Sequence, residues 1–198
     1  MQKLIKSKAR VRDFGEVYTP QKLVQKMTAL LPEESFEPEK KILEPSCGTG
    51  NFLYDILNRK LCKILVGPKR PYYKVLNMYQ ALASVYGVDI QLDNVIECQS
   101  RLKSLFYERL AMLHVKPFEY FVDHVLINNI RRGNALEDVF SFIDVEIIFK
   151  FHQIGIDVKK DSFCLTSYKC HLQQNIFQLQ AVRLLPFEDE IGITRNTQ

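Results

Sequence analysis

The stretch "ILEPSCGTGNFL", residues 42–53, constrains the fold of this chain more than any other segment. A short apolar strand candidate, "KKIL", leads directly into it, and an apolar helix pattern, "NFLYDILNRKL", follows it. Gly48 and Gly50 have no Cβ, so the backbone there can turn tightly and a ligand can lie against it. The next helix presents free N–H groups at its start. The stretch therefore predicts a ligand-binding turn between a strand and a helix.

The elements that follow alternate between helix and strand. "KVLNMYQALASV" has a helical pattern, "YGVDI" reads as a strand, and Leu92 to Leu113 looks helical again. Such alternation favours an α/β fold with a mostly parallel sheet. If that sheet is doubly wound, ligands bind at the carboxyl ends of its strands. We therefore predict an α/β domain over residues 41–150.

The chain divides around this domain into two further segments. Residues 1–40 form a basic arm and a helix, "TPQKLVQKMTALLP", in which Thr19 can cap and Pro20 fits the first turn. The helix has an apolar stripe of Leu23, Val24, Met27, Leu30 and Leu31. Residues 151–198 are expected to be a divergent or truncated carboxyl-terminal segment.

Composition excludes several classes of protein. The 198 residues are 46% hydrophobic and contain no run near the roughly 20 apolar residues that span a bilayer. "MQKLIKSKAR" lacks the apolar centre of a secretory signal, and the five cysteines form no Cys-x-x-Cys pair. The four histidines are scattered. We expect a cytoplasmic protein without membrane contact, disulfides or a metal site.

Positive charge is concentrated in two stretches. Residues 1–30 hold seven Lys or Arg against Asp13 and Glu16, and residues 58–74 hold six with no acid. Such patches can meet a phosphate backbone, with Tyr72 and Tyr73 available for stacking. The commoner interpretation of such charge, and the favoured one, is a solvated face.

Two acidic residues suggest the chemistry of the ligand. Glu44, just before the glycine turn, can accept hydrogen bonds from an ammonium group. Asp89, at the end of "YGVDI", can take both hydroxyls of a ribose through its two oxygens. A ligand with an amino acid and a nucleoside is S-adenosylmethionine. Glycine turns and strand-end aspartates are also frequent in unrelated α/β proteins, so this pattern alone is weak.

The same stretch carries a family resemblance. "ILEPSCGTGNFL" resembles the first motif, Asp/Glu-Pro-x-Cys/Gly-Gly-x-Gly-x-Phe, of bacterial DNA adenine-N6 methyltransferases, which are class I S-adenosylmethionine-dependent enzymes of restriction-modification or orphan type. The resemblance implies a Rossmann-like fold, S-adenosylmethionine as cofactor and DNA as partner. It implies cofactor contacts from Glu44, Pro45, Ser46, Cys47, Gly48, Gly50, Asn51 and Phe52.

Further motifs of the same family follow in the expected order along the chain. "FGEVYTP" resembles the family's amino-terminal cofactor motif, which implies that Tyr18, Thr19 and Pro20 hold the methionine end. "YGVDIQLDNV" followed by "ECQSRL" resembles the second motif, which implies that Asp89 holds the ribose and Ile90 packs on the cofactor's adenine.

The third motif contains a departure. "INNIRRGNAL" resembles it, but Asn134 stands before Ala135 where an Asp is usual near the cofactor's adenine. An amide oxygen can still accept from the adenine amino group.

The fourth motif is absent. The family carries (Asn/Asp/Ser)-Pro-Pro-(Tyr/Phe) after the fourth strand, where it holds and stacks on the target base. This sequence has no Pro-Pro; the fourth-strand candidate "FIDVEIIFKF" is followed by "HQIGIDV", and Pro186 alone follows Pro117. Only 63 residues follow Ala135, too few to complete a seven-stranded sheet and add a DNA-reading domain. We assign no catalytic residue.

Three hypotheses stay open. The chain is an adenine-specific DNA methyltransferase or its cofactor-binding portion, with the missing motif supplied by a second protein chain or by residues not identified. Alternatively, it is a catalytically incompetent domain acting as a subunit or interaction module. The third, a methyltransferase with a non-DNA substrate, is disfavoured by "FGEVYTP".

Overall fold

The computed structural model describes residues 5–138, 140–146 and 169–175. Its helices are α1 (Lys8–Phe14), α2 (Gln21–Thr28), α3 (Asn51–Val66), α4 (Pro71–Ala83), α5 (Leu92–Ala111) and α6 (Glu119–Asn129). Its strands are β1 (Ile42–Glu44), β2 (Val85–Asp89), β3 (Ile130–Arg132), β4 (Phe140–Glu146) and β5 (Lys169–Asn175). A 3₁₀ turn, Glu33–Phe36, lies between α2 and β1. None of the helices in these ranges combines the length and apolarity needed to cross a membrane.

Strands β1, β2 and β3 form a parallel sheet in that order. Leu43 lies opposite Tyr86, and Val88 lies opposite Arg131, so the carboxyl ends of all three strands share one edge. The predicted α/β class is confirmed. This edge receives the glycine turn, because β1 ends at Glu44 and α3 begins at Asn51.

The main core lies on one face of the sheet. Buried side chains of α3, α4, α5 and α6 pack there together with Val85 and Ile130. The ring of Tyr79 lies 5.1 Å, centroid to centroid, from the rings of both Phe106 and Phe121. On the other face, Tyr86 and Val88 pack against Phe142 of β4. In the described ranges, the core helices α3, α4, α5 and α6 therefore cover one face of the sheet. No helix of these ranges packs in the Tyr86 cluster on the opposite face, where a doubly wound sheet would have its second helical layer.

Strand β4 does not extend the parallel sheet. It pairs antiparallel with β5, Phe140 lying opposite Asn175 and Glu146 opposite Lys169. The predicted fourth strand, residues 142–151, is thus a strand over residues 142–146. It pairs with β5 and not with a strand of the parallel sheet. Residues 147–151, "HQIGIDV" and Pro186 lie outside the described residues.

The amino-terminal helix differs from its prediction in two ways. Helix α2 begins at Gln21 with Pro20 at its N-cap, and no side chain caps it, so the predicted Thr19 cap is wrong. Val24 is buried as predicted, but three other members of the stripe are exposed: Leu23, Met27 and Leu30. Thr28 is buried instead, because its hydroxyl can be satisfied inside by Val24 O and by Asp55 Oδ2 on α3.

Candidate functional site

Two glycines shape the turn between β1 and α3. Gly48 and Gly50 have φ of 52° and 84°, values that residues with a Cβ rarely adopt. A Cβ on Gly50 would lie 2.4 Å from Cys98 Sγ, and one on Gly48 would lie 3.4 Å from the ring of Tyr18. Glycine is therefore required by both conformation and space at position 50, and by conformation at position 48.

A cleft of about 180 Å³ opens beside this turn, at the carboxyl ends of β1 and β2. Three segments line it: residues 14–19, the turn region 44–52, and residues 89–94. The predicted cofactor-binding residues that line the cleft are Tyr18, Thr19, Glu44, Ser46, Cys47, Gly48, Asn51, Phe52, Asp89 and Ile90. The fold thus brings together residues that are up to 72 positions apart in the chain.

The other predicted residues lie outside the lining: Pro20, Pro45, Gly50, Asn134 and Ala135. Pro20 is the N-cap of α2, and Gly50 is the N-cap of α3. The Asn134 amide oxygen accepts from the Leu136 N–H within its own turn, at 3.1 Å. Ala135 packs against the Tyr86 cluster on the far face of the sheet. An adenine contact from Asn134 stays a prediction.

Asp89 ties β2 to the glycine turn. Its Oδ2 accepts from the Gly48 N–H at 2.9 Å, and its Oδ1 accepts from the Gln91 N–H at 2.9 Å and from Asn94 Nδ2 at 3.1 Å. A carboxylate has about four acceptor positions, so roughly one is left for a ligand. Asp89 therefore has a structural role in addition to any contact with a ribose.

Glu44 has far fewer partners. Its one hydrogen bond with a described residue is from the Ser46 N–H, at a long 3.4 Å. Burial raises the pKa of the Glu44 carboxyl to about 7. No described cation pairs with it. Most acceptor positions of this half-buried carboxylate thus have no partner among the described residues, an arrangement that suits a cationic ligand.

A polar network that the sequence interpretation missed joins the amino-terminal segment to the cleft. The Tyr18 hydroxyl lies 2.9 Å from both Glu16 Oε1 and Asn94 Oδ1, and Asn94 Nδ2 donates to Glu16 Oε2 at 3.1 Å. Burial, followed by the hydrogen bond to Glu16, raises the pKa of Tyr18, so its hydroxyl stays a donor. Because Asn94 also contacts Asp89, the network reaches the strand end. The only feature of the sequence that could have pointed to Glu16 is its place within "FGEVYTP".

Ion pairs hold the arm over the same edge. Asp93 Oδ2 accepts from Lys6 at 2.9 Å and from Arg10 at 2.6 Å, and Lys6 also pairs with Glu97 at 3.2 Å. These hydrogen bonds, the one from Arg10 first, lower the pKa of Asp93. Arg10 additionally pairs with Glu16. Lys6 and Arg10, two cations of the basic arm, are therefore engaged with acids of the chain itself, while Lys3 lies outside the described residues.

The second basic stretch lies away from the cleft. Arg59 pairs with Asp55, Lys63 pairs with Glu33 and Glu37, and Lys60 is fully buried. The loop 67–70 follows the end of α3, which at 1.5 Å per residue is roughly 24 Å from the glycine turn. Arg59, Lys60 and Lys63, three of the six cations of this stretch, are therefore engaged or buried within the chain, away from the cleft.

Cys47 packs under the turn, against Cys98. A hydrogen bond with Cys98, and then burial, raise the pKa of Cys47 well above its usual value. A thiol held in this form is a poor nucleophile. Within the described ranges, no group of three or more His, Cys, Asp or Glu is arranged to hold a metal ion.

Comparison with known proteins gives one match. Residues 2–91 match the N-6 DNA methylase family, a span that takes in the arm, the glycine turn and Asp89 but ends before α5. No curated protein and no solved structure matches the chain. The family recognised from the sequence motifs is confirmed over this span, which covers less than half of the 198 residues.

Proposed function

We propose that the cleft binds S-adenosylmethionine, because residues 2–91 match the N-6 DNA methylase family, a family of DNA methyltransferase-like enzymes. We further propose that the bound cofactor serves methyl transfer to the N6 amino group of adenine in DNA. One observation carries the cofactor assignment: the half-buried carboxylate of Glu44 lines the cleft and has a single long hydrogen bond among the described residues.

The residues of the cleft suit the two ends of this cofactor. Glu44 would accept from the methionine ammonium, and the turn at Gly48 would let the ligand lie against the backbone. Asp89 would use its remaining acceptor position on the ribose. Ile90, which is 45% exposed, would give the adenine an apolar surface. The bound cofactor would supply a methyl group on a sulfonium centre.

Charge also supports the assignment. Three acids line the cleft, Glu16, Glu44 and Asp89, and Arg10 is the cation that hydrogen-bonds to the first of them. S-adenosylmethionine carries a sulfonium, an ammonium and a carboxylate, and therefore a net positive charge. A negatively charged cleft attracts such a ligand, more strongly at low ionic strength.

The second candidate is a domain that binds the cofactor but does not transfer the methyl group by itself. It is favoured by the absence of Pro-Pro from the sequence, because that motif aims the target amino group in the family. In this case another protein chain would complete the catalytic site. A domain that served only in protein interaction would not require a cleft carboxylate with a single long hydrogen bond, as Glu44 has within the described part of the chain.

The experiment that tests the proposal compares two ligands by calorimetry. S-adenosylmethionine should bind saturably, and methylthioadenosine, which lacks the amino-acid end, should bind at least tenfold more weakly because it cannot reach Glu44. Transfer of labelled methyl groups to adenine-containing DNA is then measured with the same protein. Binding with transfer supports a self-sufficient enzyme, and binding without transfer supports the second candidate. A folded chain that binds neither ligand would refute the cofactor assignment.

A further inference from the structure

A cationic side chain lies directly behind the glycine turn. Arg101 of α5 donates from Nη1 to Thr49 O at 2.6 Å, to Thr49 Oγ1 at 3.2 Å and to Asn51 Oδ1 at 2.9 Å. Its guanidinium also lies 5.3 Å from the centroid of the Tyr54 ring. Every one of these acceptors belongs to the turn or to the first residues of α3, so Arg101 contacts the element that carries the cleft.

The contact with Thr49 fixes one peptide group. The Thr49 carbonyl is held by Arg101, and the N–H of the same peptide, on Gly50, donates to Cys47 O at 2.8 Å. A peptide held at both ends cannot rotate without losing a hydrogen bond, and its rotation would disturb the positive φ that Gly50 requires. Arg101 thereby selects one conformation of a glycine turn that has several available to it.

The contact with Asn51 extends this control to the amino-terminal segment. Because Asn51 Oδ1 accepts from Arg101, its Nδ2 is directed to Thr19 O, to which it donates at 2.9 Å. Asn51 is 6% exposed, so water has little opportunity to replace either bond. Thr19 itself lines the cleft. Two walls of the cleft are therefore connected through one guanidinium.

We propose that Arg101 is a positioning residue of the cofactor site, which orients the 48–51 turn and, through Asn51, the segment that contains Thr19. This inference rests on the proposed function for the identity of the ligand. The ordering of both cleft walls, the 48–51 turn and the segment of Thr19, by Arg101 is argued from the structure alone. No contact between Arg101 and the ligand is required.

Arg109 provides a matched control on the same helix. It donates to Asn58 Oδ1 on α3 from Nε at 3.1 Å and from Nη2 at 2.9 Å. Both arginines thus join α5 to α3 through an asparagine oxygen, and both are half-buried. Arg109 lies eight residues further along α5, roughly 12 Å from Arg101, and it is not part of the cleft.

The test uses Arg101→Met, Arg101→Lys and Arg109→Met in the full chain. Affinity for S-adenosylmethionine is measured by calorimetry, and backbone hydrogen exchange is followed over residues 15–20 and 44–53. Arg101→Met should raise the Kd at least tenfold and speed exchange in both segments, and Arg101→Lys should recover part of the loss. Arg109→Met should leave the Kd within about twofold and leave both segments protected, even if its unfolding temperature falls equally.

The outcomes separate this inference from the proposed function. Wild-type binding with equal Kd changes in the two Met variants, or with none, would overturn the positioning role while the cofactor assignment stands. If the wild-type chain does not bind S-adenosylmethionine, the proposed function fails and hydrogen exchange alone decides. Faster exchange confined to residues 15–20 and 44–53 in Arg101→Met supports the inference, and uniform faster exchange overturns it.

Discussion

An ionisable side chain lies near each end of strand β1, the buried Lys60 of α3 at one end and the half-buried Glu44 at the other, and desolvation shifts the pKa of both to about 7. At the amino end, Lys60 is fully enclosed and donates to Lys40 O and, at 2.7 Å, to Ser84 Oγ. At the carboxyl end, Glu44 receives one hydrogen bond at 3.4 Å and opens on the cleft. Both side chains therefore have a pKa of about 7, but Lys60 has two hydrogen-bond partners and Glu44 has one weak partner among the described residues.

This difference distinguishes a structural group from a binding group. Lys60 joins α3 to the start of β1 and to Ser84, whose carbonyl accepts from the Ile42 N–H. Its hydrogen-bond requirement is met by neutral oxygens, so it needs no further partner. Glu44 is less enclosed, because it lines the cleft and is only half-buried, and no described cation pairs with its carboxylate. A ligand in the cleft can therefore still reach it. A perturbed pKa alone would not separate the two.

The largest effect on stability is expected at the amino end. At pH 9.5, where Lys60 is neutral in the folded chain, Lys60→Ala should lower the free energy of unfolding by about 2–4 kcal/mol, because it leaves a cavity and removes the donor to one buried and one partly buried oxygen. Affinity for S-adenosylmethionine should not change at temperatures where the variant is folded. Denaturant titration and calorimetry measure the two quantities. Lys63→Ala is the control, since Lys63 makes exposed ion pairs on the same helix, worth about 0–1 kcal/mol.

The effect of Lys60→Ala should depend on pH. Because the pKa of Lys60 falls from 10.5 to about 7 on folding, the unfolded chain binds more protons between these values, and wild-type stability rises with pH across them. The variant lacks this rise, so the difference between wild type and variant should be larger at pH 9.5 than at pH 7. A difference that is constant over this range would mean that Lys60 is not shifted by burial.

A smaller effect, opposite in sign, is expected at the carboxyl end. Glu44→Gln should raise the free energy of unfolding of the unliganded protein by about 1–2 kcal/mol at pH 8, because a partly desolvated charge is removed. The same change should weaken S-adenosylmethionine binding at least tenfold and reduce its advantage over methylthioadenosine. Stability and affinity would thus move in opposite directions, which is typical of a binding site.

The pH dependence at Glu44 runs opposite to that at Lys60. The carboxyl pKa rises from 4.5 to about 7 on folding, so the folded state binds more protons and wild-type stability falls as pH rises from about 4.5 to 7. Glu44→Gln should lack this fall, and the exposed Glu34→Gln should retain it. A parallel fall in Glu44→Gln would show that another group causes it.

The cleft end also shows which features the sequence could predict. The glycine turn and Asp89 were predicted because their chemistry depends on local spacing: two glycines after a strand, and an acid at the end of the next one. Arg101 lies within "ECQSRL" and was not singled out, because its partners are 50 and 52 residues away. The second acceptor role of Asp89, on the Gly48 N–H, was missed for the same reason.

Burial was predictable only where hydrophobicity decided it. Val24 is buried as predicted, but Thr28 is buried because Asp55, 27 residues away, accepts from its hydroxyl. The net charge of the arm allowed two interpretations, a solvated face or a surface for a phosphate backbone, and charge counts do not show that Lys6 and Arg10 meet Asp93. Local spacing therefore predicts a turn, whereas the partners of a charge depend on how distant segments come together.

The smallest effect is expected where the arm closes the cleft. Asp93→Asn removes the shared acceptor charge of Lys6 and Arg10, both partly exposed, so the loss of stability should be under about 1 kcal/mol. Dissociation of S-adenosylmethionine, measured by stopped flow, should nevertheless become several times faster, because the pairs hold residues that line the cleft. Asp123→Asn is the matched control, since it removes a similarly exposed pair with Lys103 away from the cleft. If both variants release the ligand at the wild-type rate, the arm does not retain it, and the carboxyl end of β1 would bind its ligand through Glu44 and the turn alone.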